Sequence, residues 1–192
     1  MDHGSDYSSV YLLKQKSDAT QYIINYINQL YNNGHNLLFY QSDGALELCG
    51  KPISDLAANK GFTIITSTPH CHTDNGKIER LHRTLANSMN AQLIQSNLPP
   101  NFWGYSLLTA NYTRNLLYSQ VSRNIPHKLF WPNVAPRYDN LQPFGCLCYI
   151  HFPDSKQIKS PGPKNFPGLF LGYGNDTNDK QFKGHRFLSL ST

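Results

Sequence analysis

Leu81, Leu85, Met89 and Leu93 recur four residues apart through an otherwise polar stretch spanning residues 77–95. Positions i and i+4 share one face of a helix, so the spacing predicts a long helix with a single apolar side. Such a helix is stable only against another apolar layer. Strand-like runs upstream supply that layer. Asn36-Leu-Leu-Phe-Tyr40 and Phe62-Thr-Ile-Ile-Thr66 are short, apolar and bounded by turn residues, as buried strands are. Between them, residues 51–61 read as a short helix with Pro52 in its first turn. Before them, Tyr22, Ile23, Tyr26, Ile27 and Leu30 recur at helical spacing over residues 19–31, with Ser17-Asp18 as the expected cap and Asn32-Asn-Gly34 as the stop. The opening segment, residues 6–14, is rich in aromatic and aliphatic side chains and reads as a strand. Strands alternating with helices place the chain in the α/β class with a mixed sheet.

Beyond the long helix, Leu98-Pro-Pro100 marks a break, and residues 101–117 read as a further helix opened by Phe102-Trp103. Prolines and asparagines then accumulate through residues 119–143, an extended linker by composition. Two strand-like runs follow, residues 144–152 and 168–173, separated by a loop rich in Pro, Gly and Lys. The expected organisation is a core over residues 1–118, a linker over 119–138 and a small β domain over 139–192. No run approaches the roughly 20 apolar residues that span a bilayer, and four cysteines without a signal peptide read as free thiols in a reducing compartment. A soluble intracellular protein is expected, with no membrane and no small-molecule substrate.

The net charge of +5 is unevenly placed. Through Asp74 there are four basic and seven acidic residues, and from Asn75 onward thirteen basic and five acidic. A polyanionic partner for the later portion follows.

Two acids sit where a sheet can hold carboxylates near a shared point: Asp43 just beyond a strand and Glu79 near the start of the long helix. Their separation alone decides nothing, since a turn aspartate and a helix N-terminal glutamate favoured by the macrodipole look the same. Lys77, Arg80 and Arg83 follow at three-residue steps around Glu79, with His82 among them, and are either a solvated face or a phosphate-binding one. His70-Cys71-His72 and Cys146-Leu-Cys148 have the wrong spacing for a structural zinc site, so no zinc is expected. His70 and His72 read as loop residues. Phe102-Trp103 reads as core packing before it reads as a base-stacking platform. Lys156, Lys159 and Lys164 make a basic or merely solubilising loop.

The surrounding words carry more than the spacing. Ser42-Asp43 with Glu47, and Thr68-Pro-His-Cys-His-Thr-Asp-Asn-Gly-Lys-Ile-Glu-Arg-Leu-His-Arg-Thr-Leu85, resemble the last two catalytic segments of copia-type retrotransposon integrases. Leu98-Pro99, Phe102-Trp103, Thr109-Ala110, Phe144-Gly145 and Phe170-Leu-Gly-Tyr173 fit the same family's later pattern in the same order. The resemblance implies an RNase H-like integrase core followed by a small SH3-like β domain. It implies Asp43 and Glu79 as ligands of Mg²⁺ or Mn²⁺. The chemistry it implies is trimming of retroelement DNA ends by water, then attack of the exposed 3′ hydroxyl on target DNA. Retroelement ends, target DNA and further integrase subunits are the implied partners, in the nucleus or a cytoplasmic virus-like particle.

The sequence also departs from the family. The third acid belongs on a first strand upstream of the motifs present here, Asp6-Tyr7-Ser8 resembles a segment at the start of the second strand, and Gly44-Ala45-Leu46 replaces the usual Asn-Gly-Gly. The expectation is an incomplete triad and impaired activity. Two alternatives stand beside the integrase: a catalytically inactive remnant that at most binds DNA or integrase subunits, and a nuclease that cuts without joining.

Overall fold

The computed structural model describes residues 1–66, 72–151, 164–174 and 184–190, and for residues 72–75 the backbone alone. The chain divides into two compact units, Tyr11–Leu81 and a second made of Met1–Val10 with His82–Thr192.

In the first unit, helix α1 (Asp18–Asn32), strand β1 (Phe39–Ser42), the short helix α2 (Leu46–Cys49), helix α3 (Lys51–Lys60) and strand β2 (Thr63–Thr66) follow one another. β1 and β2 pair in parallel, Phe39 with Thr63 through Ser42 with Thr66. One face of this pair turns Tyr40 and Ile64 toward Ile27, Ala57 and Phe62, the buried centre of the unit. The other face carries Phe39, 61% exposed, and Ile65, 42% exposed. In strands, alternate residues take opposite faces, so among the described residues helices cover one side of this sheet. The start of α1 corrects one expectation. Ser17 is itself helical and makes no side-chain cap, while Asp18 Oδ2 accepts from the Gln15 N–H at 3.1 Å. The stop falls where expected, with the Gly34 N–H closing onto the Tyr31 carbonyl at 3.0 Å.

Helix α4 (His72–Ser96) begins in the first unit and continues in the second. It starts five residues earlier than expected, so Glu79 lies about two turns inside the helix, not in its first turn. The macrodipole, which acts within the first turn, therefore does not account for Glu79. Leu81 and Leu85 are buried, and Met89 and Leu93 half-buried, as the four-residue spacing requires.

In the second unit a 3-10 turn over Pro100–Phe102 leads into α5 (Trp103–Leu116). Ser106, fully buried, shares its one hydroxyl hydrogen between the Met89 carbonyl at 3.0 Å and Gln92 Oε1 at 2.9 Å, which fixes α5 against α4. Trp103 is 50% exposed, contrary to its expected place in the core. The stretch expected to be an extended linker contains α6 (Pro126–Phe130), whose Pro126 and Phe130 are buried together with Trp131. Strands β3 (Leu147–His151), β4 (Asn165–Tyr173) and β5 (His185–Ser189) form an antiparallel meander in sequence order. β4 packs on α5 through Gly172, where φ is +119° and an added Cβ would collide with the Thr109 hydroxyl. Only glycine suits both the left-handed backbone and the close approach.

Residues 6–14 form no strand. The main-chain groups of Ser8 are taken by side chains instead: its N–H donates to Asn115 Oδ1 at 3.1 Å, and its carbonyl accepts from the amides of Asn111 and Asn115, each at 2.8 Å. A segment whose backbone polar groups are satisfied in this way has no need of a neighbouring strand.

Candidate functional site

Because β1 and β2 run parallel, Asp43 and the connection into α4 both leave from the carboxyl ends of strands. That end is where open α/β sheets place their ligands. At Asp43 the chain turns sharply. The carboxylate Oδ1 accepts the Ala45 N–H at 3.3 Å across Gly44, whose φ is +77°. This Asx-type turn fixes the carboxylate's orientation by its own backbone and leaves the residue exposed. Three residues before Asp43, Tyr40 is held in the inner face of the sheet. Burial pushes its phenol up to about 12, the Ser42 hydrogen bond works against that rise, and the nearby Asp43 charge adds to it.

Glu79 is also exposed. With about 100° of rotation per helical residue, Glu79, Arg80 and Arg83 occupy the side of α4 opposite the Leu81 and Leu85 stripe. Lys77 and His82 lie on the two flanks. Burial agrees, since Arg80, His82 and Arg83 are exposed while Lys77 is half-buried. The three basic residues thus fan across the outer face more widely than a single row. The Arg80 guanidinium folds back along the helix, with Nη1 3.5 Å from where a Cβ on Gly76 would stand.

Carboxylate oxygens are hard donors and suit Mg²⁺ or Mn²⁺, and both Asp43 and Glu79 offer theirs to solvent. Among the described residues no three His, Cys, Asp or Glu side chains stand together as a metal-holding group. Asp43 and Glu79 are thus two hard oxygen donors, each carried by its own element. Cys148 is different in kind. Its thiol donates to the Gly168 carbonyl at 3.2 Å, and burial, with Cys146 beside it, pushes its pKa up. His70, Cys71, Lys156 and Lys159, and the side chain of His72, lie outside the described residues.

A cluster that the sequence did not disclose lies in the second unit. Asp6, 3% exposed, accepts from Arg114 Nη2 at 2.9 Å and from the Ser119 hydroxyl at 2.6 Å, and its carbonyl accepts from Arg114 Nη1 at 2.8 Å. Its φ of +67° is one that aspartate tolerates better than most residues. The partners are more than a hundred positions apart, a pairing that no local pattern reveals.

Comparison with known proteins places these features. The chain is 31% identical over 177 residues to the retrovirus-related Pol polyprotein from transposon RE1 of Arabidopsis thaliana. It is 29% identical over 170 residues to that from transposon TNT 1-94 of Nicotiana tabacum. The chain is a relative of copia-type retrotransposon Pol polyproteins. The matches take in 90% and 87% of this chain but only 12% and 13% of those polyproteins, so it corresponds to a small segment of each. In fold the segment is similar to the catalytic core domain of BIV integrase, which superposes with a TM-score of 0.51 at 19% identity, over 68% of this chain and 81% of that one. The architecture is accordingly RNase H-like and mixed α/β. No protein-family model matches the chain. Among the described residues no helix is long and apolar enough to cross a membrane.

Proposed function

We propose that this chain is a retrotransposon integrase segment in which Asp43 and Glu79 hold a divalent ion for DNA strand transfer, and Arg80, Arg83, Lys77 and His82 hold the DNA. The observation that carries the reading is topological. In a relative of Pol polyproteins with an integrase-core fold, Asp43 and the helix bearing Glu79 both follow the carboxyl ends of a parallel strand pair.

When bound, Mg²⁺ or Mn²⁺ supplies Lewis-acid stabilisation of the attacking and leaving oxygens in an in-line phosphoryl displacement. The chain's own residues do the rest. Asp43 presents a carboxylate oriented by the Ala45 N–H, and Glu79 presents one from a rigid helix two turns from its start. Arg80 and Arg83 sit beside Glu79 on the outer face of α4, where phosphate oxygens are reached without desolvating the helix. Partners on this reading are retroelement ends, target DNA and further integrase subunits, in the nucleus or a virus-like particle.

A strand-transfer assay with Mn²⁺ and oligonucleotides bearing the element's ends tests the proposal. Joining by the unaltered chain that disappears in both Asp43→Ala and Glu79→Ala supports it. Joining that survives either substitution sinks the assigned ligands. A second reading, a remnant that binds DNA without chemistry, is favoured by Gly44-Ala45-Leu46 standing where the resembled family has Asn-Gly-Gly. It predicts salt-sensitive binding with no joined product. Cleavage without joining would instead identify a nuclease.

A further inference from the structure

Helix α1 carries tyrosines on a side that does not build the core. Its buried residues are Ile27 and Leu30. At about 100° per residue, Tyr22 stands roughly 140° around the helix from Ile27, and it is 42% exposed. Asp18 and Tyr26 stand four residues before and after it, along the same face. Tyr11, 40% exposed, crosses this row from the preceding segment. Its ring centre lies 5.5 Å from that of Tyr22, with the planes at 49°, and 6.0 Å from that of Tyr26, at 66°. All four residues belong to the first unit. Rings tilted in this way offer π-faces in more than one direction, where a flat stack offers only its two outer ones.

We propose that Tyr11, Tyr22 and Tyr26, with Asp18, form a docking site for a quaternary ammonium group, the trimethylated lysine side chain of a partner protein. The face of an aromatic ring is negative and attracts a cation. Another tyrosine of the same helix shows that attraction, since Lys60 Nζ stands 5.0 Å from the centre of the Tyr31 ring. Charge agrees. From Ser17 to Gly50 the chain carries Asp18, Asp43 and Glu47 and no Lys or Arg. Asp18, one turn from Tyr22, is the single charged residue of α1. Lys14 and Lys16 lie between Tyr11 and α1, but an unmethylated ammonium is strongly hydrated and parts with its water at a cost. Methylation removes its N–H donors and gives the cation an apolar surface that rings can cover. With two of the rings about 40% exposed, the site suits a cation at the end of a long side chain carried by a larger molecule. A free small ligand needs a concave pocket. The proposal is independent of the metal and DNA readings and stands or falls separately.

The test uses the full chain and a short Gly-Ser peptide carrying one trimethyl-lysine, whose N-methyl proton signal is followed by NMR. Ring currents should move that signal upfield, saturably, as the chain is added. The same peptide with unmethylated lysine, or with a carbon analogue that replaces the charged nitrogen, should bind about tenfold more weakly. Tyr22→Leu changes an exposed side chain and should weaken binding by a similar factor, with the circular dichroism unchanged. Tyr22→Phe keeps the ring and should keep the affinity. No saturable shift, equal binding of the carbon analogue, or affinity untouched by Tyr22→Leu overturns the site. Tetramethylammonium that binds as tightly as the peptide overturns the partner side chain as its occupant.

Discussion

Asp6 and Arg114 form a pair in which one partner is buried and the other is 21% exposed. The two residues are not equivalent under substitution. Arg114→Ala takes the charge partner from a buried carboxylate, and loss of one member of such a pair costs about 3–5 kcal/mol. Asp6→Ala strands a guanidinium that still reaches water, and should cost less. Urea unfolding of the two variants checks the order, and equal losses would mean that the ion pair is not the dominant contact. Nearby, His127 packs edge-on to Tyr7 at 6.5 Å, and burial lowers its pKa below the ordinary 6.5. A histidine kept neutral in the fold binds fewer protons there than in the unfolded chain, so its contribution is complete above pH 6.5 and declines as pH falls toward the folded value. Acidification from pH 7 to 5 should therefore lower the stability of this unit, and His127→Gln should flatten that part of the profile. An NMR titration giving a His127 midpoint above 6.5 would reverse the sign.

At the level of elements, the β4–α5 contact is the tightest point that a single substitution can probe. Gly172→Ala adds a Cβ against the Thr109 hydroxyl and asks alanine to hold φ at +119°. Overpacking of this kind costs roughly 1–3 kcal/mol, and the backbone strain about 1–2 more. Adding Thr109→Ala should recover the steric part alone, so thermal unfolding of the double variant should fall between the single variant and the unaltered chain. The same contact explains what the sequence could and could not show. α3 and the apolar stripe of α4 were legible, because Pro52, Gly61 and a four-residue apolar period are local signals. The start of α4 was not, since Thr73-Asp-Asn-Gly76 reads as a turn and is helical only in place. Residues 6–14 have the composition of a strand but lack a ladder, for reasons that lie a hundred positions away in Asn111 and Asn115. β5 was missed because Arg186-Phe-Leu-Ser189 is too short to announce a strand without its partner β4. Asp43 and Glu79 were singled out by the words around them, and what the fold adds is that Asp43 follows directly on β1, which runs parallel to β2.

For the whole molecule the governing feature is that acidic and basic residues are segregated along the chain, with thirteen of the seventeen basic residues after Asp74. α4 is where the two portions meet, and its outer face carries Glu79 beside the exposed Arg80 and Arg83. A face of that kind binds a polyanion through counterion release, and each phosphate neutralised adds about 0.9 to the slope of log affinity against log salt for duplex DNA. Replacing Lys77, Arg80 and Arg83 together by glutamine should weaken binding to any sequence alike and reduce the slope by up to about 2.7. The half-buried Lys77 should account for the smallest share, because its ammonium is less free to follow a phosphate. Anisotropy with two unrelated duplexes across a range of salt measures both quantities at once. A slope left unchanged would overturn the assignment of phosphate contacts to α4. A slope that falls while one duplex is still preferred would mean that base contacts lie elsewhere and that α4 only positions the backbone. Equal weakening of both duplexes with the reduced slope is what the phosphate-holding face proposed for α4 requires.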